Sequence, residues 1–400
     1  MSYIEIQDVR KSYGDYLALR NFSLDVEEGE FVSLLGPSGC GKTSLLRAIA
    51  GLEVIHGGTI SVNGRLLSQN GYTMAPERRN MGLIFQSYAL WPHMTVFKNI
   101  AYGLKLRHWD RKDIARRVAE VLDVVGLEGM EERLPSQLSG GQMQRVAVAR
   151  SLAPEPAVLL FDEPLSNLDA KLRESMRFEL RRIQKEIGTT AIYVTHDQAE
   201  AMVISDRIIL MNKGQIVQEG SADDLYERPS TSFAAKFLGF SNLMPARVEA
   251  PANAANGLGL LRLEDAEGTT IRGVVQTGMQ VGDSVTISIR PEAIRVERDG
   301  RHSSDYGDAV RLPGTIRDLV YAGNLCDAFV DIGQTQLRAQ LLPSELVRLA
   351  VGDNVRAVFD SHSVWTVADS TSPEGAAVST ENDASVATGR IAKSAHTATV

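Results

Sequence analysis

The chain has 400 residues, more than one ordinary hydrophobic core holds, so two or three domains are expected. At 44% hydrophobic and 23% charged it reads as an ordinary soluble globular protein, with no apolar run of the ~18 residues a membrane span needs and no signal peptide in MSYIEIQDVRKSYGD. Two cysteines, Cys40 and Cys326, make no disulfide framework and suit a reducing cytosol, while a formal charge of −8 argues against a nucleic-acid partner.

Through about residue 240, strand-like and helix-like runs alternate. FVSLLG (31–36) is a short apolar strand ending in glycine, and KTSLLRAIAG (42–51) is a helix closing on Gly51. An apolar run from Met81 to Phe85 precedes Gln86. A glycine-rich turn, Ser139-Gly140-Gly141, opens a helix expected from Gln142 to its stop before Pro154. AVLLFDEP (157–164) and TAIYVTHD (190–197) lack polar alternation, as suits strands buried on both faces of a parallel sheet. Between them, Leu172, Met176, Leu180, Ile183 and Ile187 recur at helical spacing, stopped by Gly188. Strand–helix–strand order predicts an α/β domain with helices on both faces.

After residue 240 strand patterns dominate, as in VTISIR (285–290), where Val285, Ile287 and Ile289 alternate with polar residues. VGDSV (281–285) and VGDNV (351–355) each lead into such a run. The pair predicts a small β-barrel of two related halves, the alternative being that Gly-Asp is simply a common turn. From about 371 to 400 the composition is Ala/Ser/Thr-rich without periodicity and predicts a disordered tail.

GPSGCGKT (36–43) matches the phosphate-loop pattern in full and lies between a strand and a helix, the context that pattern requires. Gly36, Pro37, Ser38, Gly39, Cys40 and Gly41 are expected to bind the nucleotide, the glycines letting backbone N–H groups wrap the phosphates and Cys40 serving as a small spacer. Lys42 can reach the β- and γ-phosphates, Thr43 can bind Mg²⁺, and Ser44 is placed for the α-phosphate. Asp162 and Glu163 end a buried strand, where parallel sheets gather their ligands. Asp162 suits the Mg²⁺ shell and Glu163 the polarisation of an attacking water, so hydrolysis is expected and not binding alone. His196, ending a second buried strand, can donate to the γ-phosphate or hold the water. Gln86 can sense Mg²⁺ and the water without adding charge. Ser139, Gly140, Gly141 and Gln142 form a second anion-binding helix start.

In this order, GPSGCGKT, Gln86, LSGGQ (138–142), FDEP, SNLD (166–169) and His196 resemble the nucleotide-binding subunit of an ATP-binding cassette (ABC) transporter, over roughly residues 3–240. The resemblance implies an α/β phosphate-loop NTPase cassette with an inserted helical subdomain at about 88–155. Tyr13 matches the aromatic that stacks on adenine. Two cassettes, expected to be a homodimer, would face head to tail, each ATP lying between the phosphate loop of one and the signature loop of the other. Asp169 would lie at that junction. An isolated monomer would then bind ATP but hydrolyse it poorly.

Residues 241–370 resemble the OB-like (TOBE) accessory domain of importer cassettes, through ISIRPEAIRV (287–296) and PGTIRDLVYAGN (313–324). An importer implies a peripheral subunit on the cytoplasmic face of the inner membrane, membrane permease partners and, indirectly, a periplasmic solute-binding protein. Tyr88, Leu90, Trp91, Pro92, His93 and Met94 would line the permease groove, although Lys98 stands where many relatives carry an acidic residue. SYALWPHMTV leans toward cassettes for iron(III), polyamines or phosphonates; sugar-importer cassettes more often read NYALYPHMTV. Non-transport relatives fit less well. Residues 44–137 contain no sustained heptads, and the chain has one phosphate loop and one signature. A regulatory role for 241–370 would be additional to transport.

Overall fold

The computed structural model describes residues 2–368 except 255, 266–267, 299–308 and 346–348; the tail expected from 371 lies outside the described residues. The first half comprises β1 (Ile4–Tyr13), β2 (Tyr16–Val26), β3 (Phe31–Leu35), α1 (Lys42–Ala50), β4 (Gly57–Val62), β5 (Arg65–Gln69), β6 (Tyr72–Thr73) and β7 (Met81–Ile84). Three helices follow, α2 (Val96–Leu106), α3 (Arg111–Val124) and α4 (Gly140–Leu152). Then come β8 (Val158–Asp162), α5 (Ala170–Ile187), β9 (Thr190–Thr195), α6 (Gln198–Ile204), β10 (Arg207–Asn212), β11 (Gln215–Gly220), α7 (Ala222–Glu227) and α8 (Ser232–Phe237).

The strands form two sheets. One is antiparallel, ordered β2-β1-β4-β5-β6, and the other runs β11-β10-β3-β9-β8-β7, parallel apart from β11. β3 and β9 are buried along their whole length because both faces of the parallel sheet are covered. Phe31, Phe161 and Tyr193 face a core shared with α2, α3, α4 and α5; Val32, Leu34, Leu160, Ile192 and Val194 face one shared with α1 and the antiparallel sheet. Each such fully buried aliphatic contributes about 1.5–3 kcal/mol.

Strand register sets the working edge. Leu35 lies beside Thr195, Asp162 beside Val194, and Ile84 beside Phe161. The carboxyl ends of β3, β9, β8 and β7 are therefore level, and the segments after them emerge together.

α1 closes as its sequence predicts. Gly51 adopts φ 81°, and the N–H groups of Gly51 and Leu52 return to Ala48 O and Arg47 O. Beneath it lies a buried arginine that the sequence did not flag. Arg79 donates to the carbonyls of Ala48, Ile49, Met74 and Leu67 and to Ser68 Oγ. It ties the end of α1 to β5 and pins the turn before β7.

Two helix expectations need correction. In α5, Met176, Leu180 and Ile183 are buried as read, but Ile187 is exposed in the last turn. Gln184 takes the inward place and donates to Gly29 O and Thr189 O. α4 starts at Gly140, not Gln142, because Ser139 and Gln142 cap it reciprocally: Ser139 Oγ accepts from Gln142 N, and Gln142 Oε1 accepts from Ser139 N.

The second half comprises β12 (Asn242–Ala250), β13 (Leu258–Leu263), β14 (Thr270–Val274), β15 (Ser284–Ile289), β16 (Arg295–Arg298), β17 (Ala309–Tyr321), β18 (Cys326–Ile332), β19 (Thr335–Leu341), β20 (Asn354–Asp360) and β21 (Trp365–Ala368). β12-β13-β14-β21-β15 close a barrel, and β16-β20-β17-β18-β19 form a second sheet over one shared core. The VGD repeat is structural. Asp283 and Asp353 each accept, through Oδ2, the N–H three residues back, from Gln280 and Ala350. Each turn feeds a strand, a 3₁₀ turn (Pro291–Ala293 or Ser361–Ser363) and a second strand. The second strands are exchanged: β16, from the first copy, pairs with β20, and β21, from the second copy, pairs with β15.

Candidate active site

The segment after β3 is a glycine cradle. A Cβ on Gly36 would lie 2.3 Å from Met211 O, and one on Gly41 would lie 2.5 Å from Ala18 O, so neither position admits a side chain. Lys42 is buried and its Nζ bridges the ends of the loop, 2.7 Å from Gly36 O and 3.0 Å from Pro37 O. The ammonium thus sits on the loop it would serve. Cys40 is a packed spacer whose thiol burial pushes above the usual range, against the opposing pull of Lys42.

Thr43 Oγ1 donates to Asp162 Oδ1 at 3.3 Å, bringing together across α1 and β8 two hard oxygen atoms of the kind that suit a divalent cation. Burial pushes the Asp162 carboxyl above its ordinary value, with Arg47 and the Thr43 hydrogen bond pulling the other way. A carboxylate held in such surroundings is stabilised by a cation. Ser44 Oγ lies 3.2 Å from the Tyr13 hydroxyl, which also donates to Glu53. Lys11 Nζ stands 4.7 Å from the centre of the Tyr13 ring and pairs with Glu53 at 3.6 Å. The half-exposed Tyr13 ring therefore stands beside the loop, positioned by Glu53, a residue the sequence reading missed.

Glu163 follows β8 at φ 46°, a left-handed conformation that costs an L-residue energy. Its N–H is held by Val194 O and its carbonyl accepts from Ser166 Oγ, so the turn is determined from both sides. Its carboxylate Oε2 lies 3.2 Å from His196 Nδ1. Gln86, after β7, joins the same edge: its Nε2 donates to Ser166 Oγ at 3.0 Å, and its carbonyl accepts from Asn167 Nδ2 at 2.8 Å. Asp169 caps α5, accepting from Leu172 N at 3.0 Å.

The signature residues open α4 beside the start of α5. Ser139 is exposed, whereas Gly141 is buried beside α5, where a Cβ would come 2.9 Å from Leu172 Cδ1. A side chain there would push against Leu172, so the glycine lets α4 pack closely on α5. Of the residues expected to line a permease groove, Tyr88 and Leu90 pack on the helical core, and Trp91 packs at a tilt against Tyr102, ring centres 4.5 Å apart; Pro92 and His93 are exposed, and Met94 is half-buried. Tyr88 and Ala89 both have positive φ, in a turn whose carbonyls accept from Arg150 of α4. A groove of about 690 Å³ is lined by Phe97, Lys105, His108, Trp109, Arg111 and Ile114, none of them among the expected groove residues.

Oxygen ligands, a buried ammonium and a glycine cradle, gathered at the carboxyl edge of a parallel sheet, define a phosphate-loop nucleoside triphosphatase. Residues 19–166 match the ABC transporter family and residues 287–367 the TOBE domain. Over 337 residues the chain is 44% identical to the spermidine/putrescine import ATP-binding protein PotA of Thermotoga maritima, covering 83% of this chain and 87% of that one. Over 303 residues it is 46% identical to the sn-glycerol-3-phosphate import ATP-binding protein UgpC 2 of Agrobacterium fabrum, covering 75% and 78%. The solved structure of cbiO1 from Clostridium perfringens, part of the ABC transporter complex cbiONQ, superposes with a TM-score of 0.53 at 26% identity, over 57% of this chain and 91% of that one. The chain belongs to the ABC transporter family, among its import-type ATP-binding subunits with a TOBE domain. Its chemistry is ATP hydrolysis coupled to transmembrane transport.

Proposed function

We propose that hydrolysis runs through Glu163 as general base, with His196 and Gln86 fixing the attacking water and the γ-phosphate. The observation that carries this reading is the 3.2 Å approach of His196 to a carboxylate held in a strained turn, since strain kept by two anchoring hydrogen bonds marks functional geometry. The water gives its proton to Glu163 Oε as its oxygen bonds to the γ-phosphorus; the bond to the β–γ bridging oxygen breaks, and ADP and phosphate leave. Lys42 exchanges its carbonyl acceptors for phosphate oxygens, the loop N–H groups of 38–41 hold the β-phosphate, Ser44 the α-phosphate, and Tyr13 the adenine face. A Mg²⁺ ion, held by Thr43 and Asp162 with Gln86 nearby, would neutralise charge on the phosphate oxygens. Charge compensation of this kind is the largest catalytic term in phosphoryl transfer.

The second half of the site comes from another cassette. Ser139, Gly140, Gly141 and Gln142 open α4 outward and would meet a neighbour's γ-phosphate, with Asp169 at the junction. The exposed Ser139 supports this reading, and a homodimer is the simplest assembly. No helix among the described residues is long and apolar enough to cross a membrane. Permease subunits would supply the channel, with this subunit at the cytoplasmic face and a solute-binding protein acting indirectly; no nucleic acid is involved. For cargo, a polyamine is supported by the names of the relatives in three bacteria. sn-Glycerol-3-phosphate is the second reading, on names as similar; the names of these relatives support neither iron(III) nor a phosphonate. Reconstitution with permeases and binding protein from the neighbouring genes tests both: ATPase activity should rise with spermidine or putrescine. A response to sn-glycerol-3-phosphate alone would replace the polyamine.

A further inference from the structure

Arg173 is the fourth residue of α5, and nothing in the chemistry above uses it. Its guanidinium donates to three backbone carbonyls of the segment after Glu163: Leu165 O at 3.3 Å, Ser166 O at 3.4 Å and Leu168 O at 3.0 Å. It also faces two carboxylates of the segment after His196, with Nη1 3.7 Å from Asp197 and Nε 3.9 Å from Glu200.

Each group it faces is fixed in turn. The Glu200 side chain is only 4% exposed and accepts from Tyr193 OH at 2.9 Å and Thr195 Oγ1 at 2.7 Å, both on β9. Asp197 caps α6 through Glu200 N and is paired with Arg177 at 2.9 Å. On the carbonyl side, Ser166 and Asn167 hold Gln86. A continuous chain of polar contacts thus runs from Gln86 through Ser166 to Arg173, and from Arg173 to Asp197, the neighbour of His196. Only a planar fork of five donors can serve both banks; a lysine carries the charge but not the span.

We propose that Arg173 is a positioning residue that locks the 165–169 segment, which carries Asp169 to the subunit junction, to the His196 turn, so that a shift of His196 at one ATP is conveyed to the neighbouring site. This rests on the two-cassette reading given above. Coupling of this kind needs a physical link both sites bias, and Arg173 is the group in contact with both segments.

The test uses the full chain. ATP hydrolysis is measured against ATP concentration for the wild type, Arg173→Lys and Asp197→Asn, which keeps the cap on α6 but removes the charge facing Arg173. Alongside, ATP-driven dimerisation of Glu163→Gln is followed by size exclusion. The expected wild type is cooperative, with a Hill coefficient between about 1 and 2, and Arg173→Lys falls to about 1. Its kcat drops by about tenfold to a hundredfold, as for misplaced catalytic groups, while the KM for ATP moves by less than about threefold. Asp197→Asn shows the same pattern more weakly, and carries the test should Arg173→Lys fail to fold. Cooperativity as strong in the variants as in the wild type overturns the assignment, and so does a kcat loss with an unchanged Hill coefficient. A wild type without cooperativity, together with a Glu163→Gln chain that stays monomeric in ATP, instead overturns the two-cassette reading on which the proposal stands.

Discussion

The backbone at Glu163 offers a test in which stability and activity move in opposite directions. At φ 46° the residue bears the left-handed cost of about 1–2 kcal/mol that an L-side chain pays and glycine does not. Glycine gives back about 0.5–1 kcal/mol through its looser unfolded chain. Its partner adds little: the His196 and Glu163 side chains are 56% and 24% exposed, and exposed pairs of this kind contribute about 0–1 kcal/mol. Glu163→Gly should therefore be more stable than Glu163→Gln, which keeps the strained backbone, by roughly 0.5–1 kcal/mol, or roughly 1–4 °C in a domain of this size. Both variants lose the general base, and phosphate release should fall by about 10²–10⁴. Thermal melts followed by circular dichroism and a phosphate-release assay on the same preparations read both effects, with ATP binding retained in both. A Gly variant melting at or below the Gln variant would refute the strain argument. Wild-type hydrolysis in either would remove Glu163 from the base role.

Lys42→Ala should weaken ATP binding by at least about tenfold, the loss expected for a charged hydrogen-bond donor; titration with a fluorescent ATP analogue checks it, and unchanged affinity would count against the loop assignment. Arg79→Met strands the carbonyl oxygens of Ile49 and Met74, while Ala48 O and Leu67 O keep the N–H groups of Gly51 and Met74, and should cost about 2–5 kcal/mol in urea unfolding. A cost below about 1 kcal/mol would show that water or repacking replaces it. Asp162, its carboxyl raised by burial, binds a proton more readily folded than unfolded, so the stability it contributes is present below the usual aspartate value and is lost as pH rises through its folded value. Asp162→Asn should therefore melt higher than the wild type at neutral pH without Mg²⁺ or nucleotide, yet lose Mg²⁺-dependent ATP hydrolysis; a lower melting point would contradict the sign.

Much of the site was legible because it is local. The phosphate loop, the two-carboxylate end of β8 and the stop at Gly51 are short patterns whose chemistry depends on neighbours in sequence. The start of α4 was also legible and was misread: Ser139 and Gln142 have the spacing of a reciprocal cap, which outweighs the poor helix propensity of Gly140 and Gly141. What escaped depends on distant partners. Arg79 answers carbonyls of α1 and β5, Arg173 answers the segments that follow β8 and β9, and the strain at Glu163 is fixed by Val194 on β9. Ile187 obeys the helical period, but the helix has left the core by that turn, and the buried amide of Gln184 is the better answer to loose carbonyls.

The exchanged strands of the C-terminal half bear on how the chain is made. The cassette sheets are complete once β11 has been synthesised, by Gly220. The barrel cannot close in that manner: β14 and β15 wait for β21, made about 75 residues after β15 ends, a delay of roughly 4–15 s at ribosomal speeds. Through that interval SVTISI, an uncharged β-prone stretch, has one edge unpaired and open to whatever nascent strand comes near. A ribosome stalled before β21 is made would hold completed cassette sheets joined to an open half-barrel, so closure of the barrel reports that synthesis has passed β21.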